Sequence, residues 1–482
     1  MTTMFSKRFV AVGLIVLSGC FSADGAKDQN ENWNLPKVVE ATASDKTKVK
    51  YREVKDALPI RKTKYMIRVP ENWNGTLLND LDYCKKADSY MSMLLLEKGY
   101  ALSGTVRRPD RGQSYDPAHE AHDFICIFDI FESTFGKPKR IIQLGCSGGG
   151  TVTLSMVEKY SDRIDGGIAA CAATSQWMAN MHLDGLFVMQ SLIAPELPIV
   201  DLVDYENQKL EALGEKWKVA IDEAQQTPEG RARIALAITI GQWPAWGGRG
   251  EAPVIKPDPT NVRALQESMC HSMAMLLPNS RTKGTTMLER AGRGQLRSNV
   301  GLDYAELFEN GNTHYKAAVK SLYQEAGIRI EDDLKTINAA PRIKSDPAAI
   351  KYWSALGRTH VGEPKVPLLR IHTSGDGLVY PVLTQGYEEL VRQKGYSDLF
   401  RSAYVDNWGH CMFSTGEWLA SIETVMQRLD SGVWPDTDPA SMNERAKQLE
   451  PLSKTRFFDF PGVEQFNRAW VPTVNDYMGT QE

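Results

Sequence analysis

The sequence predicts an α/β fold: a mostly parallel sheet with helices on both faces, interrupted by a large, mainly helical insertion. Three observations carry this. Short apolar, β-branched runs alternate with helical spacings from about residue 75 to 170. The same alternation resumes at Val366. Between 175 and 363 it gives way to amphipathic helical stretches and loops. The expected organisation is therefore one α/β domain built from 49–174 and 364–482, with 175–363 as a lid or substrate-binding cap.

Composition agrees with a globular enzyme. The chain has 482 residues, 42% hydrophobic and 24% charged, with a net charge of -4. That excludes a disordered chain or a basic nucleic-acid binder. No fixed-period repeat or low-complexity block is present.

The first residues read as a targeting segment. Lys7 and Arg8 precede an apolar run, Phe9 to Leu17. It is too short to span a bilayer, which takes about 20 apolar residues. The run ends in Leu17-Ser18-Gly19-Cys20, which resembles the lipobox of bacterial lipoproteins. That resemblance implies a signal peptide over 1–20, with Cys20 lipidated as the mature N-terminus. Phe21, where an inner-membrane retention signal would place Asp, favours an outer-membrane anchor. The alternative is a secretory signal cut after Ala26. Residues 21–48 are polar and read as a tether. Either reading exports the protein to an oxidising setting.

Six further cysteines remain, at Cys84, Cys126, Cys146, Cys171, Cys270 and Cys411. An even number is compatible with three bridges. No CxxC or HExxH spacing is present, so neither a metal site nor a cofactor is expected.

The elements follow in order. Val49 to Val54 and Lys64 to Val69 read as strands, and Thr76 to Leu78 opens a third. Ala87 to Lys98 has helical spacing and stops at Gly99, as at a C-cap. Tyr100 to Val106 is a strand and Ala118 to Phe135 a helix. Arg140 to Leu144 is a short apolar strand, Gly148 to Tyr160 a helix and Ile164 to Ala170 a buried strand. After the insertion, strands are predicted at Val366 to His372 and Leu399 to Val405, with helices at Tyr387 to Lys394 and Thr415 to Leu429.

Gly145-Cys146-Ser147-Gly148-Gly149 fits G-x-S-x-G and stands between a strand and a helix. A nucleophile elbow needs that context, because its turn is sharp and tolerates little side-chain bulk. The helix behind Ser147 supplies positive dipole and free N–H groups, so the Gly148 N–H is the first candidate oxyanion donor. A serine hydroxyl needs a base, and the base an orienting acid. Asp376 directly follows the strand from Val366, and His410 directly follows the strand ending at Val405. The order Ser, acid, His is the one this type of sheet requires. Asp406, the rival acid, is too close in sequence to His410 to come from a separate strand. The other histidines read as helix, strand-end, loop or insertion residues; among them, His372 ends a strand and His182 is a surface or core residue, with a place in the pocket as the alternative.

Cys146 precedes the nucleophile and Cys411 follows the base. If Ser147 and His410 meet, the two sulfurs lie near enough for a bridge. This Cys-Ser, Asp, His-Cys set resembles the tannase/feruloyl esterase family of α/β-hydrolases, in which such a bridge joins the residues flanking the triad. The resemblance covers about 75–170 and 366–436, and implies a serine esterase with a lid between serine and acid. Leu429-Asp430-Ser431-Gly432-Val433-Trp434-Pro435 is similar to the family's closing helix and its exit. The chain departs from the family after Ser147, which is followed by Gly148-Gly149-Gly150-Thr151 without the usual arginine, and at Asn79-Asp80-Leu81-Asp82-Tyr83, which lacks a His-Gly-Gly run. No calcium loop is evident. The second oxyanion donor is expected at a backbone N–H near Leu81 or Asp82.

Trp177, Met178, Met181, Phe187, Met189, Trp243, Trp246, Met269, Met273 and Met275 enrich the insertion in side chains that suit an apolar or aromatic ligand, although core packing of a helical cap accounts for most of them. The expected function is an exported, lipid-anchored hydrolase of a small carboxylic ester, with no nucleic-acid partner. A peptidase or amidase with the same triad, or a non-catalytic binding protein, are the alternatives.

Overall fold

The computed structural model describes residues 37–42, 49–108, 115–248, 255–277 and 283–468. Cys20 and the signal segment lie outside these residues. The chain divides into two compact units, one of residues up to 106 with 119–141, the other of 107–118 with 142 onward.

In the first unit, β1 (Val39–Thr42), β2 (Lys50–Ala57), β3 (Lys64–Pro70), β4 (Thr76–Asp80) and β5 (Ala101–Thr105) lie in the order β1-β2-β3-β5-β4. The β1–β2, β2–β3 and β3–β5 pairs are antiparallel, and β4–β5 is parallel. β2 keeps one partly solvated face, whereas β3 and β4 are almost wholly buried. Helices α1 (Tyr83–Lys86) and α2 (Tyr90–Glu97) follow β4. Ser89 caps α2 by accepting the Ser92 N–H, and Gly99, at φ +87°, closes the turn after it. Helix α3 (Pro117–Phe135) buries Phe124, Ile127, Phe128 and Phe131, the i, i+3, i+4, i+7 stripe of an amphipathic helix. One expectation needs correction here. Val39–Thr42, part of the expected tether, pairs with β2, because strand partners satisfy a short edge segment that has no apolar pattern of its own.

In the second unit, β6 (Arg140–Cys146, entering the unit at Ile142), β7 (Gly166–Ala170), β8 (Leu368–Gly375) and β9 (Phe400–Trp408) run parallel in that order, with β10 (Phe457–Phe458) antiparallel on β9. Helix α4 (Gly148–Lys159) joins β6 to β7. Between β7 and β8 stand α5 (Ser175–Leu192), α6 (Asn207–Gln225), α7 (Pro228–Ile240), α8 (Val262–Leu276), α9 (Lys283–Gly292), α10 (Tyr304–Glu309), α11 (Thr313–Ala326), α12 (Ile330–Ala339) and α13 (Pro347–Trp353). Then come α14 (Val382–Gln393), α15 (Thr415–Ser431) and α16 (Pro439–Leu449). Helix α7 is the centre of the insertion: Ile234 through Ile240 are all buried, and α5, α6, α8 and α11 pack around it. This strand order, with a serine turn after β6 and the long insertion before β8, is an α/β-hydrolase fold.

A buried carboxylate fixes α4 against the return to the sheet. Glu158 accepts the Val361 and Gly362 N–H groups, each at 2.9 Å, and the Tyr387 hydroxyl at 2.8 Å. These donors replace the water that an interior carboxylate would otherwise lose.

Candidate active site

Ser147 stands where β6 stops and α4 starts. Its backbone is forced to φ 61°, ψ -122°, and its N–H donates to Ala170 O on β7 at 2.9 Å. The glycines around it are sterically required. A Cβ on Gly145 would lie 2.6 Å from the Gly149 carbonyl carbon, and one on Gly150 would lie 2.7 Å from Ala170 O. The Gly148 and Gly149 amides belong to the first turn of α4, whose N–H groups have no helical acceptor.

Asp376 follows β8 beyond a bulge between Thr373 and Gly375. It is fully buried, and both oxygens are used. Oδ1 accepts the N–H groups of Leu378 and Val379, each at 2.9 Å, and Oδ2 lies 2.7 Å from His410 Nδ1. Burial by itself would raise its pKa, but His410 and His372 outweigh that and hold the carboxyl well below the usual carboxylate range. Since Oδ2 is an acceptor, Nδ1 of His410 carries the proton and Nε2 is left with its lone pair. Nε2 is buried and has no hydrogen-bond partner among the described residues.

The loop carrying His410 is pinned to the end of β8. Gly409 N–H donates to Gly375 O at 3.0 Å, and the Thr373 hydroxyl donates to Gly409 O at 2.7 Å. The next residue, Cys411, is at φ 62° and is bridged to Cys146, with Cα atoms 6.2 Å apart. The expected bridge is thus formed, and it draws the backbones of Ser147 and His410 together. Asp406 does not compete for the imidazole: its Oδ1 accepts from the Ser374 hydroxyl at 2.8 Å and pairs with Lys256.

The insertion reaches this centre. Gly248 N–H donates to Gly375 O, and Gly377 N–H donates to Gly248 O, each at 3.0 Å. Trp246 packs on Trp408 with ring centroids 5.5 Å apart. A cavity of about 400 Å³ is lined by Trp246, Lys256, Tyr315, Ser374, Phe458 and Phe460 among others, and not by Ser147, Asp376 or His410. Met181, Phe187, Met189, Trp243, Met269 and Met273 are core residues. Trp177 lies among residues whose side chains are outside the description.

Other expectations resolve differently. Cys84, Cys171 and Cys270 carry free thiols, so the three bridges compatible with six cysteines do not all form. Burial explains the discrepancy for Cys171. It is enclosed at the end of β7, with Sγ 3.5 Å from Thr373 Oγ1 and within 4.8 Å of both bridged sulfurs. Burial pushes its thiol well above the ordinary range, so it rests as an inert thiol. The Asp82 N–H, proposed from sequence as an oxyanion donor, belongs to the first unit, where it donates to Asp80 Oδ1 at 3.3 Å. His372, expected to end a strand, lies inside β8 with its ring fully buried beside Asp376 and Nε2 3.4 Å from Oδ2. Nothing local in the sequence marks this, because the run of β8 past His372 depends on its register with β9.

No family model matches the chain. The o-phthalyl amidase of Xanthobacter agilis is 40% identical over 433 residues, covering 85% of this chain and 94% of that one. The chain belongs to the same family as that amidase. It is a hydrolase of the esterase/amidase type. Among solved structures, feruloyl esterase B from Aspergillus oryzae is 13% identical, covering 83% of this chain and 87% of that one at a TM-score of 0.39. Tannin acyl hydrolase from Aspergillus niger is 15% identical, covering 83% of each chain at a TM-score of 0.39. Candida antarctica lipase A in its closed state is 12% identical, covering 86% of this chain and 90% of that one at 0.38.

Proposed function

We propose that this protein is a serine hydrolase acting on amides, and the corresponding esters, of an aromatic acid of the o-phthalyl type. The observation that carries the reading is the 2.7 Å contact of His410 Nδ1 with a fully buried, ionised Asp376, in a frame where a disulfide joins the neighbours of Ser147 and His410. The amide preference comes from the relative's name together with the extent of the match.

In this mechanism His410 Nε2 takes the proton of Ser147 Oγ as the hydroxyl attacks the carbonyl carbon. The Gly148 N–H receives the developing oxyanion. His410 then gives the proton to the leaving amine or alcohol, and an acyl-enzyme forms. Water, deprotonated by His410, releases the acid. Asp376 holds the imidazole in the required tautomer throughout. An ester has the better leaving group, so the same residues cleave it as well. The helical insertion acts as the cap over the acyl group. We also propose export through residues 1–20 and anchoring at Cys20; no helix among the described residues is long and apolar enough to cross a membrane.

The test is to treat the oxidised protein with a fluorophosphonate and map the adduct, with Ser147→Ala as control, then compare the anilide and phenyl ester of 2-carboxybenzoic acid with those of benzoic acid. A single adduct on Ser147 with turnover of the 2-carboxybenzoyl pair supports the reading. An unlabelled Ser147 in folded protein refutes the mechanism. Preference for the plain benzoyl pair refutes the o-phthalyl assignment.

A further inference from the structure

The carboxylate of Asp376 meets two imidazoles, and only one belongs to the mechanism above. His372 lies on β8, fully buried, between Thr384 at the start of α14 and the turn that follows Asp376. Its Nδ1 is 2.9 Å from Thr384 Oγ1. Its Nε2 is 2.9 Å from Val379 O and 3.4 Å from Asp376 Oδ2, the oxygen that also faces His410. Those two neighbours of Nε2 are a carbonyl and a carboxylate, and neither can donate. Nε2 must therefore carry the hydrogen, and Nδ1 accepts from the Thr384 hydroxyl. The ring is satisfied as the neutral tautomer, and burial lowers its pKa and keeps it so.

We propose that His372 is a positioning residue for Asp376: its Nε2–H, shared between Val379 O and Oδ2, fixes the carboxylate and draws charge away from the oxygen that holds His410. This inference rests on the proposed triad. The Val379 N–H already donates to Oδ1, so the ring and the 376–379 turn grip the carboxylate from both sides. Thr384 orients the donor by accepting nothing from it and giving its own proton to Nδ1. The arrangement sets how strongly Asp376 attracts a protonated His410. The Cys171 thiol, just past β7, also acts on this carboxylate, and Arg370 on β8 acts on the His372 ring.

The test reads the rate at which a fluorophosphonate labels Ser147, which needs no knowledge of the natural substrate, as a function of pH. His372→Phe removes the donor and keeps a ring of similar size. His372→Gln restores an N–H near the position of Nε2. Thr384→Val removes the group that orients the ring and leaves Asp376 untouched. The expected result is a fall of about tenfold to a hundredfold in His372→Phe, the usual range for loss of a supporting hydrogen bond. Its acid limb should move to higher pH, because an unshared Oδ2 holds the His410 proton more tightly. His372→Gln should recover most of the rate and the original limb, and Thr384→Val should fall between. A rate loss with an unmoved limb, or no rescue by Gln in folded protein, overturns the proposal and leaves His372 a core residue. If the wild-type protein is not labelled at Ser147, the triad reading itself has failed, which is a different outcome.

Discussion

Cys146 and Cys411 are joined across 265 positions of sequence with their Cα atoms 6.2 Å apart, one residue before Ser147 and one after His410. Both Ser147 and Cys411 hold positive φ without being glycine. Such backbone is costly unless its surroundings determine it, and the bridge is one of those determinants. Replacing both cysteines by Ala should lower stability by about 2–5 kcal/mol, the usual cost of removing a native disulfide. Labelling of Ser147 should fall as well, because the His410 loop gains freedom. Denaturant unfolding and fluorophosphonate kinetics on the double variant check this. Equal stability and equal labelling would show the bridge to be incidental.

Asp376→Asn tests the acid. The amide nitrogen of Asn would face Nδ1 and favour the wrong tautomer, with the proton on Nε2. In the well-studied protease case the equivalent change costs about 10⁴ in kcat with geometry kept. A loss of about three to four powers of ten is expected here, measured on an aromatic ester, with little change in KM. Asp406→Asn should leave kcat within a few fold, since Asp406 faces Ser374 and Lys256. The reverse order of effects would exchange the roles of the two carboxylates.

Much of this centre was legible in the sequence because chemistry constrains order. A serine turn between strand and helix, an acid after a later strand and a histidine after the next can be placed by counting elements. The end of one helix in the α/β part is marked by Gly99, which closes the turn at φ +87°. Other features had no local signal. Val39–Thr42 is a strand only because β2 is there to pair with it. The run of β8 beyond His372 to Gly375 depends on its register with β9, and that run is what carries His372 to the acid. Counting cysteines suggested pairs, but Cys171 is enclosed beside a bridge that is already complete.

Gly150 offers a steric test of the elbow. An added Cβ would meet Ala170 O at 2.7 Å, Ala172 Cβ at 2.9 Å and Gly145 O at 3.1 Å. Two of these are backbone atoms in central strands, which cannot turn aside as a flexible side chain would. Gly150→Ala should therefore destabilise by about 1–3 kcal/mol through overpacking. It should also push α4 away from β7, weakening Ser147 labelling beyond what the stability loss explains. Gly136 is the control: nothing lies within 4 Å of its Cβ position, so any cost there comes from φ +92° alone. Thermal unfolding of the two variants separates steric from conformational cost.

Acid should destabilise the fold well above the range in which carboxylates titrate. His360 is fully buried, with Nε2 3.1 Å from the Ser155 hydroxyl, which itself donates to Gly357 O at 2.7 Å. The hydroxyl thus accepts from Nε2–H, and the ring is held neutral. Burial and the nearby Arg370 lower its pKa from 6.5 to about 3. In the unfolded chain the same imidazole takes a proton as pH falls through about 6.5. Between that pH and about 3 the unfolded state binds one more proton than the folded state. Stability should then fall by about 1.4 kcal/mol per pH unit for this one group. His372, lowered for the same reason of burial, adds to the slope over the upper part of the window. Asp376 contributes in the same direction only further down: its depressed pKa gives stability that is complete above about pH 4 and is lost as pH falls below that. Denaturant unfolding of wild type and His360→Gln from pH 7 to 4 measures the difference. The variant should start less stable at pH 7, and its stability should decline less steeply, so that the two curves approach each other as pH falls. Parallel curves would mean that His360 takes up its proton in the folded state as readily as in the unfolded one.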